Sequence, residues 1–297
     1  MRLLFLGVFD TTRQSTNTSQ LECFEKIGCD VTGYNYRQKV AQLGSTRGRD
    51  QDVISLVKKE RFDLVVYSKC DVVSTEVFVE HSKVSRTCLW FMDPLSSYSG
   101  EMKTKTSLVH YFCCDKKNIL PQAKKINPSS YHVCEGFDES IEKPWDIEQE
   151  WDIAFIGNLY NDREESINKL RSDFSVKVIK NAYGKNHAKA VSKSRINLNF
   201  CTAQGASDRV YKINVARGLL LSNDWEGRDK DFVDGEDMVV FESIKDLKVK
   251  IDFYLNNPEE ASRIRSNGYK KVQKYNRVNW AKNIIKLYKN IDFKGLI

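Results

Sequence analysis

No run of apolar residues in this 297-residue chain approaches the ~20 that a bilayer-crossing helix needs. The apolar start "MRLLFLGVFD" is too short for a signal peptide and lacks a small-residue cleavage site. It reads as a buried first strand. The eight cysteines, at 23, 29, 70, 88, 113, 114, 134 and 201, form no C-x-x-C pair, which argues against a zinc site. Several lie in apolar runs such as "RTCLWFM", the pattern of buried, reduced thiols in a cytoplasmic protein. There is no short-period repeat. There is also no dense Lys/Arg block interleaved with aromatics, the footprint of a nucleic-acid groove.

What is present is ordinary for a folded soluble chain: 41% hydrophobic and 29% charged residues, with a net charge of +7. A modest positive charge suits a phosphate-bearing ligand, an anionic surface or simple solubility, and does not choose among them.

The order of apolar runs is more informative. "RLLFLGVF" (2–9) reads as a strand covered on both faces, and "CDVTGYNY" (29–36), "DLVVYS" (63–68), "TCLWFM" (87–92) and "LVHYFCC" (108–114) as further strands. Helical spacing falls between them, at 19–28, 50–62, 74–84 and 115–126. This βαβα alternation predicts a parallel, doubly wound sheet. The acidic stretch "EGFDESIEKPWDIEQE" (135–150) has no sustained period and reads as a linker. Alternation then restarts, with strands expected at 151–156, 174–179, 195–200, 218–222 and 238–241. Helices are expected at 161–171, 186–194, 208–216, 243–256, 258–275 and 278–290. The fold class is therefore α/β, two Rossmann-like domains facing across a cleft. The expected boundaries are 1–135, a linker at 136–150, 151–275, and a C-terminal segment at 276–297.

In "WDIAFIGNLYNDREESINKL" (151–170) a strand ends at Gly157-Asn158 and passes into a charged helix. A glycine beside a helix N-terminus suits an anion, although the same junction also serves as a plain turn. In "SDRVYKINVARGLLLSNDWEG" (207–227), Arg209 stands in a first helical turn, where a guanidinium fork matches phosphate oxygens. The alternative is a solvated helix start with a surface arginine. The loop "GVFDTTRQSTNTSQ" (7–20) is rich in hydroxyls and amides and suits a hydroxylated ligand. Asp10 and Asp93 each follow a strand and are candidate general bases. His110, inside "LVHYF", reads as a satisfied core histidine, and His81, His132 and His187 as weaker candidates still. The Asp-x-Asp of "RDKD" (228–231) reads as a solvated face.

Taken in order, these motifs resemble the GT-B glycosyltransferases, in particular the CgeB-like, spore-maturation group. The matching stretches are "IAFIGN" with Arg163 beyond it, "INLNF" (196–200), the Arg209-x-aromatic helix leading to "GLLLSN", and "FVDGEDMVVFESIKDL" (232–247). "LWFMDP" (89–94) and "CEGFDESI" (134–141) match in the first half. The resemblance implies that the second domain binds a nucleotide sugar, UDP- or GDP-linked, through Gly157, Asn158, Arg163, Arg209, Lys212, Asp224 and Glu226. It implies no cofactor and no metal, because such enzymes neutralise the leaving diphosphate with side chains and helix dipoles. The first domain would bind a glycan or other hydroxyl acceptor, with Asp10 or Asp93 as base and Asp224 or Glu226 as substitutes from the second domain. The last helix would pack back on the first domain through the stripe of Trp280, Ile284, Leu287 and Tyr288. Two departures stand out: Lys212 occupies the place of a ribose-binding glutamate, and Arg217 that of a glycine before Gly218. A modified DNA base as acceptor, or a binding module without activity, are the alternative readings.

Overall fold

The computed structural model describes residues 1–12, 15–160, 162–201 and 205–290. Arg13 and Gln14 of the hydroxyl-rich loop, Asn161 at the expected helix start, and 291–297 of the expected C-terminal segment lie outside the described residues. The chain forms two compact units, residues 1–135 with 277–297, and residues 136–276.

In the first unit the strands are β1 (Arg2–Gly7), β2 (Asp30–Asn35), β3 (Leu64–Ser68), β4 (Arg86–Phe91), β5 (Tyr111–Cys114) and β6 (Ser130–His132). All are parallel, in the order β2-β1-β3-β4-β5-β6. Helices α1 (Asn17–Lys26), α2 (Tyr36–Leu43), α3 (Thr46–Glu60), α4 (Thr75–Ser82), α5 (Gly100–Ser107) and α6 (Leu120–Ile126) connect them. In the second unit, β7 (Trp151–Ile156), β8 (Val176–Ile179), β9 (Ser194–Asn199), β10 (Leu220–Asn223) and β11 (Val239–Phe241) form a parallel sheet ordered β11-β10-β9-β7-β8. Its helices are α7 (Asp162–Arg171), α8 (Gly184–Ser192), α9 (Asp208–Val215), α10 (Ile244–Asn256) and α11 (Pro258–Val272).

Both sheets are doubly wound, as the alternation predicts. The central strands β1, β3, β4 and β7 are continuous apolar runs because helices cover both of their faces. In each unit the chain reverses its winding after the second strand. The switch points lie between β1 and β3 and between β7 and β9, where ligands collect at the carboxyl ends of open parallel sheets.

Four differences from the sequence expectation have local causes. The expected strand 108–114 begins only at Tyr111, and α5 precedes it. The sequence "GEMKTKTS" hides this helix because its innermost side chain is Lys105, fully buried and donating to the carbonyls of Cys70 at 3.0 Å and Asp71 at 2.7 Å. Helix α2 escapes notice because it buries only Tyr36, and β6 because it has three residues. Residues 136–150 belong to the second unit and are anchored there. Phe137, Asp138 and Glu142 are buried, and Phe137 N donates to Tyr275 O at 3.1 Å.

Helix α12 (Arg277–Asn290) lies in the first unit, packed on α1. Trp280 enters the core with Phe24 at 5.1 Å, Trp90 at 5.4 Å and Phe5 at 6.5 Å between ring centres. Ile284 is fully buried in the same cluster, with Leu287 and Tyr288 packed at its margin.

Candidate functional site

The carboxyl edge of the second sheet encloses a cavity of about 260 Å³. Its walls come from the turn after β7 (Gly157, Asn158, Tyr160), the start of α7 (Arg163), the loop entering α8 (Asn181–Gly184), His187, and the first turns of α9 (Asp208, Arg209, Lys212). Five expected donor residues are thus brought together: Gly157, Asn158, Arg163, Arg209 and Lys212. Asp224 and Glu226 are not. Asp224 is exposed and ion-paired with Arg228 at 2.8 Å, a hydrogen bond that holds its carboxyl below the usual range. Glu226 is exposed as well.

Arg209 is no surface arginine. Its guanidinium lies over the Phe155 ring, 5.6 Å from the centre, and Nη1 reaches Ile156 O at 3.5 Å. Nε is enclosed and unpartnered. Burial, with Arg163 close by, lowers its pKa, so an arriving anion would relieve an unfavourable charge. Gly157 makes this possible. A Cβ there would stand 2.4 Å from Arg209 Nη1, and the backbone φ is +152°. A larger residue would push the guanidinium from this seat and would strain the backbone. The start of α7 is a poor anion site by itself, since Asp162, Glu164 and Glu165 occupy its first turn.

Arg163 donates to Phe200 O at 3.0 Å and lies over the Tyr160 ring at 4.9 Å. Lys212 neither faces solvent nor stands alone: its Nζ meets Asp208 at 2.6 Å and the buried Glu142 at 3.3 Å. The charge left for a ligand is that of the two arginines. Among the described residues neither has a carboxylate ion-pair partner. The other departure, Arg217, sits at φ +57° after α9 and stacks on Tyr269 at 4.6 Å. A glycine would take that conformation without strain.

A second cavity, of about 430 Å³, shares Tyr160 and Arg163 with the first and is lined by Phe200, Phe241, Asn223 and Ser243 among others. No group of three or more His, Cys, Asp or Glu able to hold a metal ion occurs among the described residues.

His187 is the residue that sequence reasoning missed. It is 5% exposed and lines the cavity. Its signal was available: His187 and Val191 share the inner face of α8 at i, i+4 spacing. Burial, reinforced by Lys212, holds its pKa down to about 4. In the first unit burial likewise holds His81 to about 4, with Tyr67 OH donating to its Nδ1 at 2.8 Å, although its Nε2 donates to Val53 O at 3.2 Å. Both imidazoles fold neutral and would charge on unfolding below pH 6.5. The unfolded state therefore binds more protons between pH 4 and 6.5, and stability falls as pH falls through that window. The expected slope is about 1.4 kcal/mol per pH unit for each histidine. Urea midpoints at pH 7 and pH 5 check this, and equal midpoints contradict it.

In the first unit, Asp10 follows β1 and accepts from Ser15 N at 2.9 Å through Oδ2. Its Oδ1 is enclosed and, among the described residues, has no partner. Asp93, after β4, is ion-paired with Lys69 at 2.7 Å. Lys69 and Cys70 both take left-handed backbone, φ +61° and +52°, and the bonds from Lys105 hold that turn. His110 is held by Thr87.

Residues 140–286 match a protein family described as glycosyl transferase-like. No curated protein matches the chain. Among solved structures, HepE of Anabaena in complex with UDP-glucose superposes with a TM-score of 0.68 at 9% identity, covering 98% of this chain and 100% of that one. Sucrose-phosphate synthase from Thermosynechococcus elongatus gives 0.71 at 9% identity, covering 97% and 98%. A glycosyltransferase from Rickettsia africae gives 0.66 at 10%, covering 98% of each. At these identities the likeness is one of fold, the GT-B arrangement of two parallel-sheet α/β domains.

Proposed function

We propose that this chain, an enzyme of the GT-B glycosyltransferase type, moves a sugar from a nucleotide-sugar donor to a hydroxyl of a glycan or protein-linked acceptor. The observation that carries the reading is the cavity at β7 and α9, where Arg209 and Arg163 hold two guanidinium groups that, among the described residues, have no carboxylate ion-pair partner around the Gly157 turn. A nucleoside diphosphate offers the matching oxygens. That HepE was solved with UDP-glucose supports a UDP-linked donor, with GDP as the alternative. The motif order supports placement in the CgeB-like group.

In the reaction, the bond from the anomeric carbon to the diphosphate breaks and the diphosphate leaves with the electron pair. Arg209 and Arg163 stabilise that charge in place of a metal ion. The acceptor oxygen bonds to the anomeric carbon and gives its proton to a carboxylate of the first unit, Asp10 in preference to Asp93.

Calorimetric titration of UDP and GDP, with and without EDTA, tests this. Wild-type affinity should survive EDTA, and its loss there would overturn metal independence. Arg209→Ala removes charge-assisted bonds of ~1.5–3 kcal/mol and should weaken binding tenfold or more. Gly157→Ala should weaken binding similarly by displacing the same guanidinium, and the double variant should be no worse than either single one. Full additivity would show that the two residues act separately.

A further inference from the structure

We infer that His187 reads the donor, its imidazole pairing with a hydroxyl of the nucleotide sugar. This rests on the donor-site reading above and goes beyond it by adding a residue and the group it recognises.

Both ring nitrogens of His187 are enclosed and, among the described residues, neither has a partner, although the side chain lines the cavity. This is not how the chain treats a structural histidine, since His81 is equally buried and uses both of its nitrogens. Leaving two buried polar atoms unsatisfied is costly to the fold, and such groups in native proteins call for a reason beyond packing. A ligand entering the cavity supplies one. Lys212, Glu142, Asp208 and Arg209 surround the ring, and burial keeps it uncharged near neutral pH. Its contribution is therefore not charge. A neutral imidazole offers one donor and one acceptor. A hydroxyl both donates and accepts, whereas a diphosphate oxygen only accepts and is already served by the arginines. The hydroxyls of a nucleotide sugar lie on the ribose and on the transferred sugar.

The test uses the full chain with His187→Leu and His187→Gln, titrated with UDP, UDP-glucose and inorganic pyrophosphate. His187→Leu should weaken UDP-glucose roughly tenfold, the size of one lost hydrogen bond to a substrate hydroxyl, and leave pyrophosphate within about twofold. The melting temperature should hold or rise, because an unsatisfied buried group has gone. His187→Gln, which keeps a donor and an acceptor, should recover part of the affinity. An equal loss for UDP assigns the ribose; a loss confined to UDP-glucose assigns the transferred sugar. Unchanged UDP-glucose affinity, an equal loss of pyrophosphate, or a lowered melting temperature with intact affinity overturns the inference. Wild-type chain that binds neither UDP nor UDP-glucose overturns the donor-site reading, and this inference with it.

Discussion

Asp10→Asn is expected to slow sugar transfer by ~10²–10⁴-fold, the usual contribution of a general base, with UDP affinity nearly unchanged. Asparagine is nearly isosteric and its Oδ1 can still accept from Ser15 N, so the loop is preserved and only basicity is lost. Among the described residues no hydrogen-bond donor competes for the Oδ1 of Asp10. Asp93 differs, because Lys69 at 2.7 Å occupies its carboxylate. Asp93→Asn should accordingly cost much less. Single-turnover rates at saturating donor measure both. Wild-type turnover in Asp10→Asn sinks the assignment, and a larger loss in Asp93→Asn reverses it.

Gly136→Ala is expected to unfold the second unit or to lower its melting temperature by roughly 10 °C or more. The Cβ would stand 1.6 Å from Tyr275 O, a backbone atom that cannot swing aside as a side chain does, and the backbone φ is +64°. Yielding means breaking the bond from Phe137 N to Tyr275 O, which pins the entry of the chain to its exit. Destabilisation beyond ~4 kcal/mol is reserved for such mechanisms. Thermal melts of the two glycine variants separate the effects: Gly136→Ala should fail in folding, Gly157→Ala in binding. A melting temperature for Gly136→Ala within a degree or two of wild type would show that the crossing relaxes freely.

The sheets were legible because their central strands are buried on both faces, and "LLFLG", "VVYS" and "IAFI" carry that burial in composition alone. What stayed hidden depends on partners distant in the chain. Lys105 belongs to a helix interior only because the carbonyls of Cys70 and Asp71 await it. Glu142 looked like part of an acidic linker, and only the fold brings it to Lys212. Arg209 and Gly157 were both singled out, but not that a Cβ on the glycine would displace the guanidinium. His187 was passed over because its importance lies in partners it does not have within the chain. Asp224 and Glu226 do not line the cavity that holds the other five, because proximity in sequence to α9 is not proximity to that cavity.

The seat of Trp280 constrains how the protein is made. Phe5, Phe24 and Trp90 leave the ribosome early, yet Trp280, the ring that completes their cluster, lies 190 residues beyond Trp90 (280 − 90), with the whole of the second unit between. At ~5–20 residues per second, the apolar face that receives α12 waits ~10–40 s for its cover. During that interval the nascent first unit presents a sticky surface while the second unit, contiguous in the chain, is free to fold ahead of it. Biosynthesis therefore favours an inside-out order, in which the middle of the polypeptide is finished before its beginning.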